Sequence, residues 1–301
     1  MTTAPMTAHT SRMPRGLASF LRLLERPEGA ISFVMTLIVV VIAVAGPALA
    51  PQNPEATDLG AVLSPPSAAH WFGTDEAGRD LFSRVLAGAQ YTMAAAVVVV
   101  LLSFVLGTAI GVIAGYVGGW VGNALARLTD LFLAFPALLI AIAVSAALGQ
   151  GLPQTVVALA VVAWSSYARI AYVQTVSARN ALFVDAARTM KTPAPRILTR
   201  HIFPTIASPL LIKGTMDLAF AAEWIAALGF IGLGATPPTP EWGAMIASSR
   251  NYALNAWWYV TFPSLALMFT IVGFVIFGGV LERQFAGRNQ LGRRALRELR
   301  A

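Results

Sequence analysis

DAARTMKTPAPRILTRHIFP, residues 185–204, is a basic, proline-punctuated island between two apolar stretches. Its composition predicts two short helices. Val184 to Met190 favours the first, Lys191-Thr192-Pro193 breaks it, and Thr192 can cap a second whose first turn starts at Pro193. Pro204 is expected to end that second helix. Along it, Leu198 and Ile202 share one face, and Arg196 with Arg200 makes a cationic row on another. Such an element suits an acidic or grooved partner, and its charge places it in the cytoplasm.

Working outward, 57% of the 301 residues are hydrophobic and only 12% are charged, too apolar for a soluble chain of this length. This is the composition of an all-α polytopic membrane protein. A net charge of +7 could point to nucleic acid, but in so apolar a chain basic residues mark the cytoplasmic side, so no nucleic acid is expected as partner. The absence of cysteine excludes disulfides and thiolate metal sites. Six apolar stretches are long enough to cross a bilayer: 30–50, 91–114, 128–148, 155–171, 209–233 and 257–281. Ala48-Leu49-Ala50 imitates a signal-peptide cleavage site, but the stretch before it is too long, starts too late and is followed by Pro51. With six crossings, 17 of the 21 basic residues fall on one side, leaving Arg79, Arg84 and Arg250 on the other and Lys213 within a span. Both termini are therefore expected in the cytoplasm, as are the polar segment 1–29 and a basic helical tail 283–301 lying on anionic lipid. Trp257, Trp258 and Tyr259 fit an interfacial aromatic belt.

Residues 51–88 form an external connection. In it Thr74 and Asp75 can cap a short helix, and Arg79 and Asp80 can pair with each other or with neighbouring loops. The core 89–282 contains five spans and the loop 173–205. Gly107, Gly111 and Gly115 recur every fourth residue, a pattern for close helix packing. Asp130 is expected to be solvated or paired with Arg127. Lys213, Asp217 and Glu223 lie inside the fifth span, where ionisable groups are costly and so become candidates for a translocation path. Lys213 and Asp217 are spaced to pair; Glu223 has no local partner and could face an aqueous route.

The island resembles the EAA loop of ABC importer permeases. Asp185-Ala186-Ala187 stands where that family has Glu-Ala-Ala, and Arg188, Arg200-His201-Ile202 and Pro204 fit its peptide and nickel branch. Lys191 replaces the family's glycine; a non-glycine residue in a left-handed turn costs roughly 1–2 kcal/mol, so either the turn differs or the strain is carried. His70-Trp71-Phe72-Gly73-Thr74-Asp75, Gly78-Arg79-Asp80, Ser83-Arg84 and Gly88 are similar to the segment preceding the family's second span. Pro237-Pro238-Thr239-Pro240-Glu241-Trp242-Gly243 resembles its external mouth loop. The resemblance implies a type I permease fold with six transmembrane helices in a bacterial inner membrane. It also implies a second homologous permease, two ATPase subunits or one fused pair, and an extracytoplasmic substrate-binding protein. It gives Asp185, Ala186, Ala187, Arg188, Lys191, Arg196 and Arg200 to ATPase docking, and makes Asp75, Arg79, Asp80, Glu241 and Trp242 candidates for contact with the binding protein.

No catalytic constellation accompanies these motifs. The one Lys-Thr pair, Lys191-Thr192, lacks the glycines of a P-loop, so ATP and Mg are expected on the partner ATPases, with no cofactor in this chain. His9, His70 and His201 are too scattered for a metal site. The expected cargo is di- or oligopeptide, with nickel, glutathione or another small solute as alternatives in the same family. An ion-coupled secondary transporter would also use six spans but would show inverted repeats, and none is seen.

Overall fold

The computed structural model describes residues 26–298, with side chains described to residue 284. Most of the expected cytoplasmic segment 1–29 and the side chains of the basic tail lie outside the described residues. Ten α-helices follow: α1 Pro27–Leu49, α2 Leu81–Val117, α3 Gly119–Ala134, α4 Ala137–Leu148, α5 Leu152–Arg179, α6 Leu182–Thr189, α7 Ala194–Ile197, α8 Phe203–Phe230, α9 Trp242–Ser249 and α10 Trp257–Glu298. Four of them, α1, α2, α5 and α10, are long and apolar enough to cross a membrane, and α3 with α4 makes a fifth candidate if the bent pair counts as one span. The remaining expected span, the fifth at 209–233, is α8, whose 28 residues reach about 42 Å at 1.5 Å per residue. Its Lys213, Asp217 and Glu223 set it apart from the five apolar candidates.

Two boundaries differ from the sequence reading. The expected third span, 128–148, is broken by 90° between α3 and α4. Proline disfavours helical backbone in the residue before it, and Phe135, preceding Pro136, is extended at φ −94° and ψ 147°. The second span starts at Leu81 rather than near 91, because Asp80 caps it by accepting from the Ser83 amide at 2.8 Å. Asp75, expected to cap a short helix, closes a turn instead, accepting from the amides of Ala77 and Arg79.

The glycine period does what its spacing predicts. Gly107 lies against the backbone of Trp164, Gly111 against that of Ala168, and Gly115 against Tyr172 and Thr175, so α2 and α5 touch backbone to backbone. Around this seam, Ala96, Val99, Leu159, Val162, Ala222 and Ile225 form the central core shared with α8. A second cluster at one end joins Tyr167, Val184, Ile197, Ile202 and Ile206; a third at the other joins Leu81, Val85, Trp242, Trp258 and Tyr259. Burial of Trp258 and Tyr259 corrects the expected aromatic belt, of which only Trp257 is exposed. Trp258 instead donates from Nε1 to the Thr74 carbonyl at 3.1 Å. An Arg283–Glu28 ion pair of 2.9 Å brings the start of α1 and the far part of α10 to the same end of the bundle.

A side chain at Gly111 would overlap the Ala168 carbonyl. Gly111→Leu is therefore expected to destabilise the chain by about 1–3 kcal/mol, the usual cost of overpacking. Thermal unfolding in detergent should show the loss, while Val105→Leu on the exposed face of the same helix should unfold like the parent.

Candidate functional site

The loop after α5 has one face that anchors and one that is free. Val184, Ala187, Ile197 and Ile202 are buried against α5 and α8. Asp185, Ala186, Arg188, Lys191, Arg196 and Arg200 are exposed, together with the large apolar side chains of Leu182 and Met190. Of the seven residues expected at a docking surface, only Ala187 is turned inward. The Asp185–Arg188 pair spans 3.4 Å between two exposed side chains and contributes little to stability. The Arg188 guanidinium lies 5.7 Å from the centre of the Tyr116 ring, linking the loop to the end of α2. Arg179 donates to the Tyr116 carbonyl at 3.1 Å and reinforces the same corner.

The turn between the two short helices keeps its geometry without glycine. Lys191 has φ +51°, its amide donates to the Arg188 carbonyl at 2.8 Å, and the Thr192 amide donates to the Ala187 carbonyl at 3.0 Å. This is a Schellman turn with lysine in the left-handed position usually held by glycine. The strain is carried rather than avoided. Thr192 is not the cap of the second helix; that position belongs to Pro193, which makes no side-chain cap.

Pro204 does not end the second helix. Helix α7 runs through a π-helical segment, Leu198–Ile202, directly into α8, with helical backbone at Leu198, Ile202 and Phe203. Proline has no amide for the usual helical bond and its ring crowds the carbonyl four residues back. Here the turn before it widens, and the Phe203 amide donates to the Leu198 carbonyl. Helix α7 and the fifth span are thus one continuous rod.

Midway along that rod, Lys213 and Asp217 form an ion pair of 2.9 Å with side chains 24% and 17% exposed. The Lys213 ammonium lies 5.0 Å from the centre of the Tyr167 ring. The pair lines a cavity of about 300 Å³ enclosed by α2, the α3–α4 bend, α5 and α8. Glu223 lies outside this cavity, exposed on the surface of the chain. Asp130, expected to be solvated or paired with Arg127, pairs with Arg169 at 3.0 Å on an exposed surface.

At the opposite end, the external residues are consumed internally. Arg79 Nε donates to Asp75 Oδ2 at 2.7 Å, and Arg84 pairs with the same oxygen at 3.2 Å without hydrogen-bond alignment. Arg84 also donates to the carbonyls of Pro54 and Pro238, tying the 51–80 loop to the 231–241 loop. Asp80 holds His70 at 3.0 Å while it caps α2. Glu241 caps α9 through the amides of Gly243 and Ala244 and accepts from Thr92 on α2. Burial pushes the Glu241 carboxyl above its ordinary range, against the lowering effect of those amides. Trp242 donates to the Val85 carbonyl at 3.0 Å. Asp75, Arg79, Asp80, Glu241 and Trp242 are all buried, and of the two roles the sequence left open, structural support and contact with a binding protein, their bonding serves the first. Sequence reasoning missed Arg84 as the tie between loops, since its partners are backbone carbonyls with no side-chain signature.

The fold is a helical bundle with several spans apolar enough to cross a membrane and, after α5, a loop with one exposed face. Residues 107–287 match the family described as the inner membrane component of binding-protein-dependent transport systems, and the chain belongs to that family. The probable D,D-dipeptide transport system permease protein of Escherichia coli K12 is 42% identical over 84% of this chain and 85% of its own length. The di/tripeptide transport system permease protein of Pseudomonas aeruginosa is 34% identical over 94% and 95%. A glutathione transport system permease protein of Escherichia coli O6:K15:H31 is 37% identical over 83% and 82%. Among solved structures, a chain of the MetNI methionine ABC transporter in inward-facing conformations superposes with a TM-score of 0.52, at 18% identity, over 67% of this chain and 95% of that one. The chain is an ABC importer permease of the peptide family.

Two outcomes follow from these sites. Lys191→Gly removes a left-handed penalty of roughly 1–2 kcal/mol, and hydrogen exchange of the amides from 184 to 192 should slow several-fold. Asp75→Ala leaves two buried guanidinium groups short of their carboxylate and should cost about 3–5 kcal/mol. It should therefore lower membrane abundance, whereas a residue serving only to touch a binding protein would lower uptake at full abundance.

Proposed function

We propose that the chain is one of two homologous permease subunits of an ATP-driven importer for di- or oligopeptides delivered by an external binding protein. Two ATPase subunits, or one fused pair, supply ATP and Mg, and the docking loop is where one of them engages. Both termini lie in the cytoplasm. The observation that carries this reading is the continuity of the segment bearing exposed Arg196 and Arg200, from α7 through the π-helical turn into α8. ATPase closure would displace the surface formed by Asp185, Arg188, Leu182 and Met190. The turn at Lys191 and the packing of Val184 and Ala187 with Ile197 hold α6 to α7, and because α7 continues into α8, that displacement tilts the rod bearing Lys213 and Asp217 and alters the cavity beside it. Peptide relatives at 34–42% identity support the cargo. A glutathione permease relative at 37% supports glutathione, itself a small peptide, as the second reading.

The test is uptake by the reconstituted transporter with its binding protein. ATP-dependent accumulation of a dipeptide is expected, and glutathione uptake alone would select the second reading. Asp185→Lys and Arg188→Glu should each cut uptake roughly tenfold, equivalent to about 1.4 kcal/mol of docking energy, at near-normal membrane abundance. Unchanged uptake in the assembled complex would remove these residues from the docking surface.

A further inference from the structure

The cavity beside α8 is apolar for most of its wall, with Phe132, Phe220 and Trp224 among its lining residues, yet it carries a complete positive and negative pair. Its volume of about 300 Å³ is at the lower end of the range for small-molecule sites, roughly 300–1,000 Å³. Ser103 lines the same cavity, is fully buried, and its hydroxyl has no hydrogen-bond partner. Tyr167 lines the same cavity, and its buried hydroxyl likewise has no hydrogen-bond partner. Buried polar groups of this kind normally have partners, and two in one cavity mark a place where a ligand supplies them.

We infer that this cavity is a cargo subsite for a zwitterion, in which Asp217 takes the cargo's ammonium, Lys213 its carboxylate, and the Ser103 and Tyr167 hydroxyls its peptide group. The inference rests on the peptide reading above and assigns the permease itself a share of cargo recognition. Opening an ion pair in an apolar cavity is costly when either charge is left alone. A molecule carrying both charges re-pairs Lys213 and Asp217 together, whereas one with a single charge strands the other residue. The two termini of an extended dipeptide are farther apart than the 2.9 Å between the paired atoms, so the cargo enters by separating them. The four-carbon stem of Lys213 permits that movement. In the absence of cargo the pair closes on itself and presents no net charge to the cavity.

The test uses the full transporter in lipid nanodiscs, with its partner permease and ATPases but no binding protein. Binding of radiolabelled alanyl-alanine is measured against its N-acetyl and C-amide forms. The free dipeptide is expected to bind at least tenfold tighter than either blocked form. Asp217→Asn should lose tenfold or more in affinity together with the discrimination against N-acetylation; Lys213→Met should do the same for amidation. Ser103→Ala, which leaves the ion pair intact, should weaken binding several-fold at unchanged assembly, and it decides the matter if a charge variant fails to assemble. Equal affinity for free and blocked forms, or variants that bind like the parent, would overturn the subsite. So would absence of binding by a complex that takes up the dipeptide when its binding protein is added, leaving the proposed function standing. A complex that imports no peptide even with the binding protein would sink both.

Discussion

The backbone contact of α2 with α5 at Gly107, Gly111 and Gly115 is the constraint on which the remaining geometry depends. Between helices surrounded by lipid there is little hydrophobic force, and close packing must do the joining. Removing three side chains from one face lets the two rods meet over about two turns, and both functional regions hang from that seam. Tyr167, packed beside Gly107, forms one wall of the cavity. At the end of the seam, Arg179 grips the Tyr116 carbonyl, and the docking loop departs from there. A shift of α5 against α2 would move the loop and the cavity wall together.

The second organising feature is a proline that interrupts nothing. Pro204 would be expected to separate a docking helix from a membrane helix, and a flexible joint there would dissipate any movement of the loop. The π-helical turn before it absorbs the missing amide while keeping helical backbone, so stiffness is preserved across the boundary. Lys191 contributes in the opposite sense. A left-handed lysine stores strain in the turn between α6 and α7, the one place in the docking element where the chain reverses. The element is thus stiff where it joins α8 and strained where it folds back.

Features set by local chemistry were legible in the sequence: the glycine period, the apolar spans, the i,i+4 pairing of Lys213 with Asp217, and the inward and outward faces of the docking loop. Those that depend on distant parts of the chain were not. Asp130 chose Arg169, on another helix, over the nearby Arg127. Arg84 found carbonyls at Pro54 and Pro238, far apart in sequence and joined only by the fold. The break at Phe135-Pro136 was locally encoded, since the residue before proline avoids helical backbone, but the unbroken hydrophobicity on either side concealed it. Hydropathy reports what lipid will accept and is silent on direction.

Three groups of charge among the described residues differ in how completely they are satisfied. At the end of the bundle opposite the docking loop, Asp75 with Arg79 and Arg84, and Glu241 with the start of α9, are buried and paired within the chain. In the loop after α5, Asp185 and Arg188 are exposed and joined by a weak mutual contact, with Arg188 also lying over the Tyr116 ring. Lys213 and Asp217 stand between these limits: paired with each other, yet open to a cavity that also holds an unpartnered hydroxyl. A saturated network fixes shape, an exposed pair is separated at little cost, and a half-buried pair is sensitive to its surroundings. Of the exposed charges in the loop, Arg196 and Arg200 share the α7–α8 rod with Lys213 and Asp217, while Asp185 and Arg188 sit on α6 beyond the left-handed turn at Lys191.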